Sequence, residues 1–219
     1  MEFLTQIING LSQGSIFALV ALGYSMVYGI TQLINFAHGD IIMVGAYATY
    51  VMLILAGTPL WAAILAAVLF CAIVGVVIEQ VAYQRLLNKN APRISLLITA
   101  IGVSMLLQNL FQLIFKSDAK SVSNVLPSFP IPIGPLEISS VTLITIATSV
   151  VIMVLLQILV KKTRIGKAMR ATSEDAGAAK LMGISSRNTI AFTFAVGSGL
   201  AAVGAVLTVL LVTRVQNMD

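Results

Sequence analysis

Charge is what this sequence has least of. Asp, Glu, Lys and Arg make up 10% of its 219 residues, while 58% are hydrophobic. Soluble domains carry roughly a quarter charged residues, so a water-exposed globule is excluded and an integral membrane protein is expected. Cysteine is nearly absent as well. Cys71, the single one, sits in the apolar run LFCAIVG, which leaves no intrachain disulfide or CxxC metal pair and reads as a small buried hydrophobe. There is one histidine, and no GxxxxGK[ST] phosphate loop or HExxH. A hydrolase is not expected, no metal or other cofactor is called for, and any ATP chemistry would have to come from another chain. The N-terminus MEFLTQ has no basic stretch, so no cleavable signal peptide is expected.

What the sequence does have is long windows without formal charge, at 3–39, 41–78, 94–115, 138–160 and 188–213. A membrane helix needs about 20 apolar residues, so 41–78 holds two, with Gly57-Thr58-Pro59 as the turn between them. The fold class is all-α: a polytopic integral membrane protein with about six transmembrane helices, near 11–30, 41–57, 60–80, 95–115, 141–160 and 190–212. The net charge of +5 does not point to nucleic acid, because the basic residues sort by loop. The 161–189 loop holds seven of the thirteen, and Arg85, Lys89 and Arg93 lie in the 81–94 connection. By the positive-inside rule both are cytoplasmic. The 116–140 loop, proline-rich in PSFPIPIGP, is external and extended.

The polar stretch NFAHGD lies between two apolar runs. Asn35 and His38 are possible pathway residues, with the plainer alternative that Asn35 and Asp40 cap adjacent helix ends and His38 satisfies a carbonyl. Asp40, just before the run from Ile41, is well placed as an N-cap. The 3–39 window exceeds one span, and a helix broken within the membrane near NFAHGD, or an interfacial first turn, would use the surplus. Glu79 is expected to snorkel or pair near Arg85, and Gln108 and Asn109 to hydrogen-bond neighbouring helices. Gly10 with Gly14, Gly197 with Ala201 and Gly199 with Val203-Gly204 recur at helix-packing distance.

The 161–189 loop is longer than a tether needs. Thr172 can cap a helix over about 173–182, with Asp175 at its third position, Lys180 near its end and Gly183 just beyond it. Ala176, Ala178 and Ala179 would give that helix a small-residue side able to lie deep in a partner's groove. An interfacial helix lying on the membrane is the alternative.

Here the chain resembles a known family. Ala178-Ala179, three residues, then Gly183 resembles the ATPase-contacting segment of bacterial ABC importer permeases. Gly166, Ala168, Arg170-Ala171, Asp175, Ala178-Ala179 and Leu181-Met182-Gly183-Ile184 resemble more closely the version in branched-chain amino acid permeases of the LivH type. The stretches at 10–47, 78–109 and 192–207 are similar to other parts of that family, in order. The resemblance implies an ABC importer permease fold in one transmembrane domain, with Gly166, Arg170, Ala171, Asp175, Ala178, Ala179 and Gly183 coupling it to the ATPases. It also implies a bacterial plasma (inner) membrane location and contact with lipid. The implied partners are a second homologous permease chain, two cytoplasmic ATP-binding subunits, an extracytoplasmic solute-binding protein and an amino acid substrate. Residues 208–219 do not resemble the family's continuation, so the chain is expected to lack its C-terminal spans. The rival readings are an ion-coupled secondary transporter or channel, which would want ionisable residues inside the spans, and an inactive truncated membrane product.

Overall fold

The structure, a computed structural model, describes residues 2–32, 34–89, 91–116, 122, 130–133 and 136–216. Among them, six helices are long and apolar enough to cross a membrane: Phe3–Thr31, His38–Leu55, Leu60–Leu87, Ile94–Phe115, Ser140–Lys162 and Ser186–Val212. Each matches one expected span. The first runs as the unbroken helix α1 (Glu2–Thr31), so the surplus of the first window is taken up partly by helix length and partly by the break before His38.

α2 (His38–Tyr50) ends in a π-helical turn at Val51–Leu55, and α3 (Leu60–Ile78) continues through a second such turn, Glu79–Tyr83, into α4 (Gln84–Asn88). α5 covers Arg93–Phe115. Strands β1 (Pro130–Ile133) and β2 (Leu136–Ser139) pair antiparallel, Pro130 opposite Ser139. Among the described residues this hairpin is the one departure from helical elements, and it lies in the connection expected to be extended. Most of that connection, Asp118 and Lys120 included, lies outside the described residues, as do residues 217–219. α6 (Ser140–Lys162) is capped by the Ser139 hydroxyl, which accepts from Val141 N–H. α7 (Arg164–Glu174) and the six-residue α8 (Ala176–Leu181) follow, and α9 (Ser186–Gln216) closes the bundle.

α9 is the hub. In its most apolar window 61% of residues are buried, against 11% for α6. In lipid the apolar effect does not drive helices together, so small residues that let backbones approach must do more of the work. A Cβ at Gly23 would lie 3.0 Å from the Gly197 carbonyl, and one at Gly45 would lie 3.0 Å from Ala202 Cα and Ala205 Cβ. A Cβ at Gly75 would overlap Ser198. α1, α2 and α3 thus reach α9 through glycines. Gly197 and Gly204 pack as their spacing suggested, whereas Gly10 and Gly14 have nothing within 4 Å of an added Cβ. Their spacing is not used within this chain.

Candidate functional site

Two groups of chemistry-bearing residues stand out, one inside the bundle and one at its basic end. The inner group is the start of α2. Asn35 Oδ1 accepts from Ala37 N–H at 3.1 Å and from Tyr83 Oη–H at 2.9 Å. Asn35, five residues before Asp40, thereby turns the chain, and the helix begins at His38 after Ala37. Asp40 is not the N-cap expected of it. Its Oδ1 instead accepts from Gln108 Nε2–H of α5 at 2.8 Å. His38 makes an edge contact with Tyr24, ring centroids 5.6 Å apart, and its imidazole hydrogen-bonds to the Val20 backbone.

These contacts fix the depth of the turn. Val20 and Tyr24 precede the end of α1 by eleven and seven residues, about 16 and 10 Å at 1.5 Å per residue. Gln108 is fifteen residues into α5, about 22 Å from its start, and Cys71 Sγ lies 3.7 Å from the Ile41 carbonyl. α2 therefore starts in the interior of the bundle, and the helix break lies at NFA. Asn35, His38 and Asp40 are 3%, 3% and 7% exposed. Among the described residues, Asn35 Nδ2, His38 Nε2 and Asp40 Oδ2 have no hydrogen-bond partner.

Two neighbouring expectations need correction. Glu79 neither snorkels nor pairs with Arg85. The π-helical turn rotates it inward, where it is fully buried; neither oxygen has a hydrogen-bond partner among the described residues, and the opposing charge acting on it is Arg187 of α9. Gln108 reaches a neighbouring helix, but Asn109 Nδ2–H donates to Met105 O of its own helix at 2.7 Å. Such local side-chain bonding competes with longer reach. Farther along α2 and α5 is a cavity of about 460 Å³ whose apolar lining includes Tyr47, Val51, Phe70, Phe111 and Phe115, but not Asp40 or Gln108. Tyr47 stacks on Phe115 with centroids 4.4 Å apart. The sequence reading passed over these aromatics; their i, i+4 spacing on α5 at Phe111 and Phe115 was the available signal.

The second group is the connection from α6 to α9. The single helix expected over 173–182 is two helices. Asp175 is extended, at φ −151° and ψ 104°, and is itself the cap of α8: its Oδ1 accepts from Gly177 N–H at 2.7 Å and Ala178 N–H at 3.0 Å. Thr172 caps nothing. It lies inside α7, 3% exposed, and the α7 cap is Thr163, whose Oγ1 accepts from Gly166 N–H at 3.0 Å. Gly166 is packed so closely under the end of α6 that a Cβ would overlap the Leu159 and Val160 carbonyls. Arg170 Nη1–H donates to Val160 O at 2.7 Å and Lys161 O at 3.3 Å, satisfying carbonyls at the α6 C-terminus. Ala171 is half-buried in α7.

At the end of α8, Gly183 has φ +81°. Gly183 N–H donates to Lys180 O and Ile184 N–H to Ala179 O, a Schellman closure. The alanines do not form one face. Ala178 is exposed while Ala179 is 4% exposed and turned inward. What the tip presents instead is Leu181 and Met182, 90% and 82% exposed. Two apolar residues directly before the glycine, in an otherwise charged loop, were the sign of this in the sequence.

The family described as "Branched-chain amino acid transport system / permease component" matches residues 6–219. The matched range takes in 208–219, which the sequence reading had set outside the resemblance. The branched-chain amino acid permease protein BraD of Pseudomonas aeruginosa is 39% identical over 218 residues, covering 94% of this chain and 70% of the relative. LivH of Escherichia coli K12 is 36% identical over 220 residues with the same coverage. A probable LivH of Methanocaldococcus jannaschii is 28% identical over 192 residues, 86% of this chain and 61% of the relative. No solved structure matches. Six membrane helices, a family match over nearly the whole chain and relatives above 30% identity converge, and the chain belongs to the branched-chain amino acid transport system permease components.

Proposed function

We propose that this chain is a transmembrane subunit of an ATP-driven importer for branched-chain or related amino acids. It forms the pathway with a second, homologous permease chain in the bacterial inner membrane. Two ATP-binding subunits supply the energy at the basic end, which is cytoplasmic, and a binding protein delivers solute at the hairpin end. The observation that carries the coupling part of this reading is the tip of α8. Apolar side chains held in water on a doubly capped, rigid turn mark a protein contact, and Leu181 and Met182 are such side chains.

The coupling residues divide by task. Ala178, with Leu181 and Met182 beside it, touches the ATPase. Asp175 and Gly183 fix the two ends of α8, and Ala179 seats it. Gly166, Arg170 and Ala171 fasten α7 to the end of α6, so that a push on α8 is passed to a span. Asn35 and His38 shape the broken helix.

The test is a cysteine at Leu181 in the assembled transporter. A membrane-impermeant thiol reagent should label it only from the cytoplasmic side, and the bound ATPase subunits should shield it. Labelling from outside, or unchanged labelling with the ATPases bound, would overturn the reading.

A further inference from the structure

Resting on the permease reading, we propose that the first turn of α2 is an intramembrane station for the zwitterionic head of an amino acid. Asp40 Oδ2 receives the ammonium group, and the N–H groups of Gly39 and Asp40 receive the carboxylate.

Four observations meet at this turn. First, α2 is a 13-residue helix whose start lies inside the bundle, so its positive end faces a medium of low dielectric, where an anion gains most from it. Second, that end is uncapped. His38 N–H is taken by Asn35 O and Ile41 N–H by Ala37 O, and among the described residues no carbonyl or side chain takes the two N–H groups between them. Third, Asp40 is 7% exposed with Oδ2 unpartnered, and Gln108 holds the other oxygen at 2.8 Å. A helical Cβ tilts towards the N-terminus, so this carboxylate leans towards the uncapped end. Buried polar groups without partners are uncommon and call for an occupant or a cost. Fourth, the turn is accessible at Gly39: it is exposed, with nothing within 4 Å of an added Cβ, while Asn35, Ala37, His38 and Asp40 around it are buried and Ile34 and Phe36 are exposed.

Helical spacing keeps the apolar cavity apart from this station. Tyr47, the first α2 residue of its lining, is seven residues beyond Asp40, about 10 Å along the axis, farther than a leucine side chain extends. The turn itself supplies the two charges of a zwitterionic amino acid with complementary groups: a carboxylate and a pair of N–H donors.

The experiment uses the full transporter, co-expressed with its own partner subunits and placed in lipid vesicles. Gly39→Cys in a Cys71→Ala background gives one reporter thiol at the open side of the turn. L-leucine should slow its alkylation about tenfold at about ten times the leucine dissociation constant, since only unoccupied sites react. Isoamylamine, which lacks the carboxylate, and 4-methylpentanoate, which lacks the ammonium, should protect weakly at the same concentration. Adding Asp40→Asn should remove the leucine protection while the ATPases still co-purify. Equal protection by all three compounds would overturn the proposal, because the two charged ends would then not be read. Leucine uptake is measured in parallel in vesicles with Gly39 and Asp40 unchanged. Uptake without protection overturns this site and spares the permease reading; protection without uptake does the reverse.

Discussion

The start of α2 and the tip of α8 invert the usual placement of side chains in opposite directions. At the first, Asn35, His38 and Asp40 are polar and buried where lipid surrounds the bundle; at the second, Leu181 and Met182 are apolar and lie in the aqueous connection at 90% and 82% exposure. Each inversion raises the free energy of the isolated chain, the first through unsatisfied hydrogen-bond capacity, the second through apolar surface in water. The cost is of different kinds and so is the remedy. A small polar solute can relieve the first, while only a surface of matching shape can relieve the second. The supports differ accordingly. α2 is held by single hydrogen bonds from distant helices, Tyr83 and Gln108 among them, whereas α8 is closed by bonds within its own turn at both ends.

The largest effect should come from the joint between the two regions. A side chain at Gly166 would collide with the carbonyls of Leu159 and Val160, backbone atoms that cannot step aside. Gly166→Val should cost about 3 kcal/mol, the upper part of the overpacking range. It should detach α7 from α6 and abolish uptake, while leucine still protects the reporter thiol at position 39. Loss of protection too would break the comparison, because it would make the two regions one cooperative unit.

Next come the two adjacent alanines. Ala178→Trp adds bulk on the exposed side of α8 and should weaken co-purification of the ATPases by about 2 kcal/mol, roughly thirtyfold, with membrane levels unchanged. Ala179→Trp fills a site that is 4% exposed and should lower the melting temperature of the chain itself. Identical behaviour of the two variants in both assays would show that α8 does not present separate inner and outer sides. Gly183→Val should be milder. It forces a β-branched residue into the left-handed region, about 1–2 kcal/mol, and should weaken ATPase binding severalfold without affecting reporter protection.

The six spans were legible because charge-free windows depend only on composition, and lipid enforces them. The residues of the α8 region were legible as a pattern, but their roles were not. Thr172 and Asp175 can both accept a helix N–H, and the choice fell to Asp175 because Thr172 is buried in α7, a fact of packing. Asp40 misled for a related reason. Its position before Ile41 resembles a cap, yet Asn35 turns the chain earlier and Gln108, 68 residues away, claims the carboxylate. Such long-range partners leave no periodic trace. Glu79 was misplaced because a π-helical turn adds a residue to the turn and shifts the face by one position, which no hydrophobic pattern records.

The smallest effect is expected at Glu79, and it sharpens the contrast at the buried end. This carboxylate is fully buried between α3 and α9, neither oxygen has a hydrogen-bond partner among the described residues, and Arg187 acts on it from the helix start without an ion pair. A buried charged or polar group in that position destabilises the protein. Unlike Asp40 it has no fixed donor such as Gln108 and no uncapped helix end beside it, so the zwitterion station does not account for it. Glu79→Gln keeps the shape and removes the ionisable carboxyl group. It should therefore stabilise the chain by about 1 kcal/mol, raising the melting temperature by about 2–4 °C for a protein of this size, and leave leucine protection of the reporter at position 39 unchanged. A lowered melting temperature would mean that the carboxylate has a partner in the assembled transporter, with Arg187 the first to examine by the double variant Glu79→Gln with Arg187→Gln. Weakened protection would instead extend the solute's path along α3, and Asp40 would no longer be the one acid that meets the ammonium group.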